Sequence, residues 1–445
     1  MDAIASASVW HSARRFIAAA AFQHARAVIT MQVGRRFWHP FTGSCMRVHT
    51  LTTLAVASGI AVSFAAAQRP ANTAPGREWP RASPASLGLN AAVLDSLDAE
   101  IKSGNYGYID RMLVIRHGKV AFDRRYVQDY KKAYGDSIRV TNALNAHDHT
   151  GPFDYFNPWW HPYYRRGDLH TLQSVTKTVA SAVIGVAVTR GDFPSIDTPI
   201  LKFFDTTKVA NIDDRKRRVT VKHLLTMTGG FDWNENLPYI DPNNTASGLE
   251  ASPDWVQFTI NRPMMREPGT VFNYSSGEST LLAYIFSQAT GMDIEEYAQQ
   301  HLFAPIGIEH WFWKRTPAGS IDSEGGLYLD AADLARIWYL YAQGGMWNGT
   351  RVVSADWVKL SVSPLVAVSA DPTGPMYGLK WWLYRNPTDN TKFIWSGSGF
   401  GGQLPMVFPE LDMVVVFNAW NILPGQKSLP RRSVVQRLAQ AVTTR

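Results

Sequence analysis

Leu172-Gln173-Ser174-Val175-Thr176-Lys177-Thr178-Val179-Ala180-Ser181-Ala182-Val183-Ile184-Gly185-Val186-Ala187-Val188 is the stretch from which the rest of the chain can be worked out. After Ser174 the run is small, apolar and free of proline, which predicts a buried helix starting near the serine. Positions i and i+3 share a helix face, so Lys177 lies one turn from Ser174 with its amine in reach of the hydroxyl. Burial among Val and Ala favours the neutral amine. The positive helix N-terminus pushes the same way and favours a developing alkoxide. A serine beside a desolvated base is the arrangement of a covalent hydrolase. The same residues have a plainer reading, with Ser174 as an N-cap and Lys177 snorkelling out of a core helix. The choice between them depends on residues downstream.

The length, 445 residues, allows one large domain or two. An apolar fraction of 45% and a charged fraction of 18% are those of an ordinary globular protein. The net charge of +7 is unevenly placed: residues 1–67 hold six Arg against Asp2, which leaves only +2 for everything after them. A nucleic-acid footprint needs clustered charge on the folded part. The one basic cluster there, Arg215-Lys216-Arg217-Arg218, follows Asp213-Asp214 and is a solvated turn. The basic N-terminus has its own explanation. Met46-Arg47-Val48-His49 precedes an apolar run from Leu51 to Phe64 and then Ala65-Ala66-Ala67, the pattern of a signal peptide cleaved before Gln68. The run is short for a membrane span, although an N-terminal anchor helix is the alternative. On this reading 46–67 is the signal peptide, 1–45 an over-extended start, and the protein periplasmic or secreted, with no stable membrane insertion afterwards. The single cysteine, Cys45, precedes Met46, so the exported chain can form no disulfide.

Residues 68–86 are rich in Pro, Ala and Arg and form a linker. Leu94, Leu97 and Ile101 recur at helical spacing behind a capping Asn90. Met112 to Phe122 is two short strands around a His117-Gly118 turn. The irregular aromatic segment between Arg124 and Leu169 leads straight into Ser174, and a loop that long is usually functional or disordered. It is expected to wall a pocket. His147, Asp148 and His149 are neighbours in sequence, so they cannot all face one ion without a special loop, and no metal site is expected. Val219 to Gly230 predicts a short helix stopped by Gly229 and Gly230. Helices are predicted over Thr280–Ala289, Ile294–Leu302 and Ala331–Gln343, the last opened by Gly325-Gly326. Strands follow at Phe393–Trp395, Gln403–Phe408 and Met413–Phe417, and Ser428–Val442 closes the chain as a helix. Strands at both ends imply one sheet built from both termini. Residues 87–190 and 325–445 then make an α/β domain, and 191–324 an inserted helical domain.

Two further motifs carry chemistry. Phe272-Asn273-Tyr274-Ser275-Ser276-Gly277-Glu278 holds a tyrosine that a nearby ammonium would help to ionise, making it a proton carrier for a serine. Alone it reads more readily as a turn tyrosine with a capping serine, Ser275 or Ser276, before the helix that follows. Trp395-Ser396-Gly397-Ser398-Gly399-Phe400-Gly401-Gly402-Gln403 is a glycine-rich turn whose backbone can approach a ligand closely. One of its N–H groups, with that of Ser174, would make an oxyanion hole. There is no complete Gly-x-Ser-x-Gly elbow, which argues against an α/β-hydrolase.

Ser-x-x-Lys, then Tyr-x-Ser, then x-Ser-Gly on a C-terminal strand resembles the serine β-lactamase and penicillin-binding-protein superfamily. Within it the chain resembles the class C β-lactamase-related serine hydrolases, and is most similar to their esterase and 6-aminohexanoate-dimer hydrolase branch. Leu224-Leu225-Thr226-Met227-Thr228-Gly229-Gly230, Leu302-Phe303-Ala304-Pro305-Ile306-Gly307-Ile308, Gly325-Gly326-Leu327-Tyr328-Leu329, Gly344-Gly345-Met346-Trp347-Asn348-Gly349 and Tyr377-Gly378-Leu379-Lys380-Trp381-Trp382 add to the likeness, which runs from about Met112 to the C-terminus. The resemblance implies an α/β fold, with a central antiparallel sheet flanked by helices and an inserted mainly helical domain. It implies Ser174 as acylated nucleophile, with Lys177 and Tyr274 as base and proton relay in an order left open. The N–H groups of Ser174 and Phe400 become the oxyanion donors, and Ser276, Gly397, Ser398 and Gly399 substrate contacts. No metal or organic cofactor is implied. Gly397 is a departure, because lactam-binding relatives open this motif with Lys or His to hold a substrate carboxylate. Uncharged acyl substrates are therefore expected, unless another base such as Lys380 reaches the same space. The resulting expectation is an exported serine hydrolase acting on a small ester or amide. A D,D-peptidase or β-lactamase, or a catalytically silent binding domain, are the alternatives.

Overall fold

Met413–Ala419 is a run of seven buried residues, Met-Val-Val-Val-Phe-Asn-Ala, and a strand buried on both faces must lie inside a sheet with cover on each side. The computed structural model describes residues 74–137 and 153–443. The proposed leader, Cys45 and the His147-Asp148-His149 group lie outside the described residues. From Ala67 onward the chain forms one compact unit.

Its main sheet has eight antiparallel strands. In spatial order they are Lys119–Arg125, Ile109–Arg116, Met413–Ala419, Leu404–Phe408, Asp389–Ser396, Trp382–Asn386, Met376–Tyr377 and Val366–Ala367. The N-terminal hairpin thus pairs directly with the C-terminal strand, Leu113 opposite Val416. His117 and Gly118 make its turn, both at positive φ. Side chains alternate between faces with the period of two that strands impose. Met112, Val114, Val415 and Phe417 pack under helices Ala91–Lys102 and Arg431–Gln440. Leu113, Ile115, Val414 and Val416 pack under Val175–Arg190 and Ala331–Ala342.

The Val175–Arg190 helix is apolar all round because it is packed all round. Gly185 is what lets Trp357 lie against it, since a Cβ there would be 2.1 Å from the indole nitrogen. From His170 to Ala187 every residue is buried except Ser174.

A second, three-stranded sheet joins His170–Thr171 to Leu327–Leu329, and that strand to Phe312–Trp313. Leu327–Leu329 had been expected to open a helix. Instead the helix begins at Ala331, where Asp330 accepts the N–H of Ala332. The predicted glycine stop at Gly229-Gly230 is also displaced. The helix is Val221–Leu225 and ends at Thr226, and Gly229 instead gives its N–H to Glu278 Oε1 at 3.0 Å. A Cβ at Gly229 would lie 2.4 Å from that carboxylate oxygen, which is why glycine stands there.

Candidate active site

Ser174 lies three residues past the buried strand His170–Thr171, at the N-cap position of the helix that follows, with no capping bond from its side chain. Gln173, just before it, is held at φ 48°, a left-handed conformation unusual for a side chain of its size. Its amide donates to Thr171 Oγ1 at 2.9 Å, which pins the turn. Ser174 Oγ accepts from Lys177 Nζ at 2.9 Å, the one-turn contact that the spacing predicts. Tyr274 comes in from the turn before helix Ser276–Thr290. Its phenolate is favoured by the Lys177 ammonium and by Ser174, and its ring centroid is 5.2 Å from that ammonium. The first two sequence motifs therefore meet around Lys177.

The charge state of Lys177 differs from the sequence expectation. Burial does disfavour the ammonium, but the charges of Tyr274, Glu324 and Glu235 more than offset it, so its pKa is raised. The amine also donates to the Glu324 backbone oxygen at 2.7 Å and to Glu324 Oε2 at 3.1 Å. These contacts and charges favour the ammonium over the neutral amine that the sequence suggests. For Tyr274 burial is the larger effect and raises the phenol, with the Lys177 charge acting against it.

The third motif arrives through Gly399. A Cβ there would be 2.4 Å from the Leu172 carbonyl oxygen and 2.8 Å from Gln403 Cβ, so only glycine lets this turn lie against the Ser174 strand. Among the described residues neither the Ser174 nor the Phe400 N–H has a backbone acceptor. Both residues line one cavity, with Tyr155, Gln173, Tyr239, Ser247, Glu250 and Glu324. Tyr155 belongs to the long aromatic segment expected to wall a pocket.

Three other expectations are corrected. A Cβ at Gly397 would meet Trp338 and Val175 at 3.1 Å, so this position faces the core and no side chain there would reach the cavity. Ser276 is buried, and its hydroxyl and N–H both donate to Glu235, at 2.8 and 2.7 Å. As the first residue of its helix it turns inward onto that carboxylate. Lys380 is buried against Met227 Sδ at 3.1 Å, and burial pushes its amine down to about 7 against the pull of Glu278. The cation beside the third motif is Arg431, which donates to Tyr384 Oη and, at 3.2 Å, to Ser398 Oγ.

The residues that sequence reasoning missed are acidic. Glu235 accepts from Trp233 Nε1 and Tyr239 Oη, each at 2.8 Å, besides Ser276. Glu250 accepts from Tyr155 Oη at 2.6 Å. Burial, and then the charge of Glu324, push the Glu250 carboxyl well above its ordinary range. Burial would raise Glu324 as well, but the Lys177 ammonium more than reverses this and holds it low. Glu324 is fixed by the Asp322 carboxylate, which takes the N–H of Glu324 and Gly325 at 3.1 and 2.9 Å.

Two of the motifs sit on the α/β sheet and its covering helix, and the third precedes a helix packed on them. Residues 111–441 match the protein family described as Beta-lactamase. The chain belongs to the beta-lactamase family. It is a serine hydrolase of that family. The chain is 27% identical over 287 residues to the 6-aminohexanoate-dimer hydrolase of Paenarthrobacter ureafaciens, covering 58% of this chain and 69% of the relative. The beta-lactamase-family fold is shared with a putative 6-aminohexanoate-dimer hydrolase from Bacillus anthracis, at TM-score 0.59 and 16% identity over 84% of this chain and 89% of that one. A family VIII carboxylesterase superposes at TM-score 0.56 and 15% identity, over 82% and 99%. Among the described residues no His, Cys, Asp or Glu group is placed to hold a metal ion, and no helix is long and apolar enough to cross a membrane.

Proposed function

We propose that the protein is an exported hydrolase that cleaves a small ester or amide through an acyl-enzyme on Ser174. The observation that carries this reading is that Ser174, alone partly exposed in a buried segment, has its Oγ 2.9 Å from the Lys177 ammonium, which itself lies 5.2 Å from the Tyr274 ring. An ammonium has no lone pair, so Lys177 cannot take the serine proton while charged. Tyr274 is the group that takes it, as phenolate, and returns it to the leaving alcohol or amine. Lys177 then acts as the fixed charge that makes the phenolate accessible. The N–H groups of Ser174 and Phe400 face the carbonyl oxygen as charge develops on it. The amide named in the Paenarthrobacter relative and the ester named in the carboxylesterase both suit this chemistry.

The test is hydrolysis of p-nitrophenyl butyrate and labelling by a fluorophosphonate. Ser174→Ala should stay folded, fail to label and lose several orders of magnitude in kcat/KM. Lys177→Ala and Tyr274→Phe should each lose most of the rate, and the double variant little more, because groups acting as a unit are not additive. Near-wild-type turnover by Ser174→Ala would end the assignment.

A further inference from the structure

We propose that Glu324 is the base that activates water in the second half of the reaction, the hydrolysis of the acyl group from Ser174. This rests on the acyl-enzyme reading above. Three observations place Glu324 for the task. Its carboxylate lines the same cavity as Ser174 and Phe400, where the acyl carbonyl would sit. Glu324 Oε2 and Ser174 Oγ contact the same ammonium at 3.1 and 2.9 Å, so the two oxygens are at most about 6 Å apart, the span one water bridges with two hydrogen bonds. Burial and the charge of Glu324 push the carboxyl of Glu250 up, whereas the Lys177 ammonium holds Glu324 low. The Asp322 turn and the Lys177 contacts fix the carboxylate's position.

The step balances without a further reactant. The water oxygen bonds to the acyl carbon as one of its protons passes to Glu324. The tetrahedral oxyanion, held by the Ser174 and Phe400 N–H groups, collapses and the C–Oγ bond breaks. Ser174 Oγ takes a proton from the Lys177 ammonium, and Glu324 returns its proton to Lys177. The acid leaves with the second water proton. Tyr274 serves the first half of the reaction and Glu324 the second, and Lys177 touches both.

The experiment is pre-steady-state hydrolysis of p-nitrophenyl butyrate by wild type and Glu324→Gln. The variant should release about one equivalent of p-nitrophenol per site in a burst and then turn over ~10²–10⁴-fold more slowly, the usual worth of a general base. kcat should fall at least about tenfold further than kcat/KM, which reports acylation and registers only the weaker hold on the Lys177 ammonium. Mass spectrometry should find butyryl on Ser174. Hydroxylamine, a nucleophile that needs no base, should restore turnover in the variant far more than it stimulates wild type. A merely structural role would lower kcat and kcat/KM alike with no acylated serine, and that result overturns the proposal, as does unchanged kcat. If circular dichroism shows Glu324→Gln unfolded, Glu324→Asp is judged by the same criteria. If wild type neither labels with fluorophosphonate nor turns over, the hydrolase reading itself falls. If wild type does both and no acyl-enzyme accumulates in the variant, only the assignment of Glu324 falls.

Discussion

Gly399→Ala should separate the oxyanion hole from the rest of the site. The new methyl would start 2.4 Å from the Leu172 carbonyl oxygen, whereas ordinary contacts begin at 3.4 Å. The turn and the Ser174 strand must therefore part by roughly 1 Å, and a displacement of that size can cost about 10²-fold. The shift falls on the peptide that carries the Phe400 N–H, and losing one oxyanion donor costs ~10²–10³ in kcat, about 2.7–4 kcal/mol. KM for a small neutral ester should change little, because the donor acts on charge that develops only in the transition state. Crowding the turn should also lower stability by about 1–3 kcal/mol. Gly191→Ala is the control. It sits at φ 80° behind the same helix with nothing within 4 Å, so it strains the backbone without touching the cavity. The measurements are kcat and KM on p-nitrophenyl butyrate, with urea unfolding for both variants. Gly399→Ala with a kcat within about threefold of Gly191→Ala would refute the placement of the oxyanion hole.

The raised phenol of Tyr274 sets the pH dependence: the base form grows as pH rises toward a pKa above the ordinary tyrosine value, so kcat/KM for a neutral ester should climb from pH 6 to at least pH 9. A profile that falls above neutrality would remove Tyr274 as the base. Expressed with its leader in a bacterium, the protein should be recovered outside the cytoplasm with a mature N-terminus near Gln68; an N-terminus upstream of Met46 would contradict this. A short p-nitrophenyl ester should be preferred to a chromogenic cephalosporin by kcat/KM. Preference for the cephalosporin would overturn the expectation of uncharged acyl substrates.

The parts of the fold that were legible in the sequence are those where local pattern and tertiary burial agree. The run after Ser174 has no polar face to hide, and it became a fully packed helix. The His117-Gly118 hairpin and the apolar C-terminal strands were legible for the same reason. Trp382–Asn386 was missed because half-buried Trp, Tyr and Arg side chains break the apolar alternation that marks a strand. The catalytic candidates were visible as spacing, but their protonation was not. Lys177 has only Val, Ala and Thr around it in the sequence, and the carboxylate that holds its charge comes from 147 residues away. Glu235, Glu250 and Glu324 carry no local signal, since a lone glutamate outside any recognisable motif reads as a solvated side chain. Only the contacts with Ser276, Tyr155 and Lys177 show otherwise. Gly397 was legible as glycine, but the direction of its missing side chain required the register of its strand.

The pairing of Ile109–Arg116 with Met413–Ala419 has a consequence for the order of events in the cell. A nascent chain that has emerged only as far as residue 390 holds Ser174, Lys177 and Tyr274, yet it lacks the central strand on which its first hairpin rests and the turn that donates from Phe400. Contacts of such long sequence separation form late. On the proposed reading, the Ser174 site is therefore complete only once the strand Met413–Ala419 has been made, and the chain should stay inert until then. Any fragment ending before Gln403 should show neither labelling nor esterase activity, however intact its first two motifs.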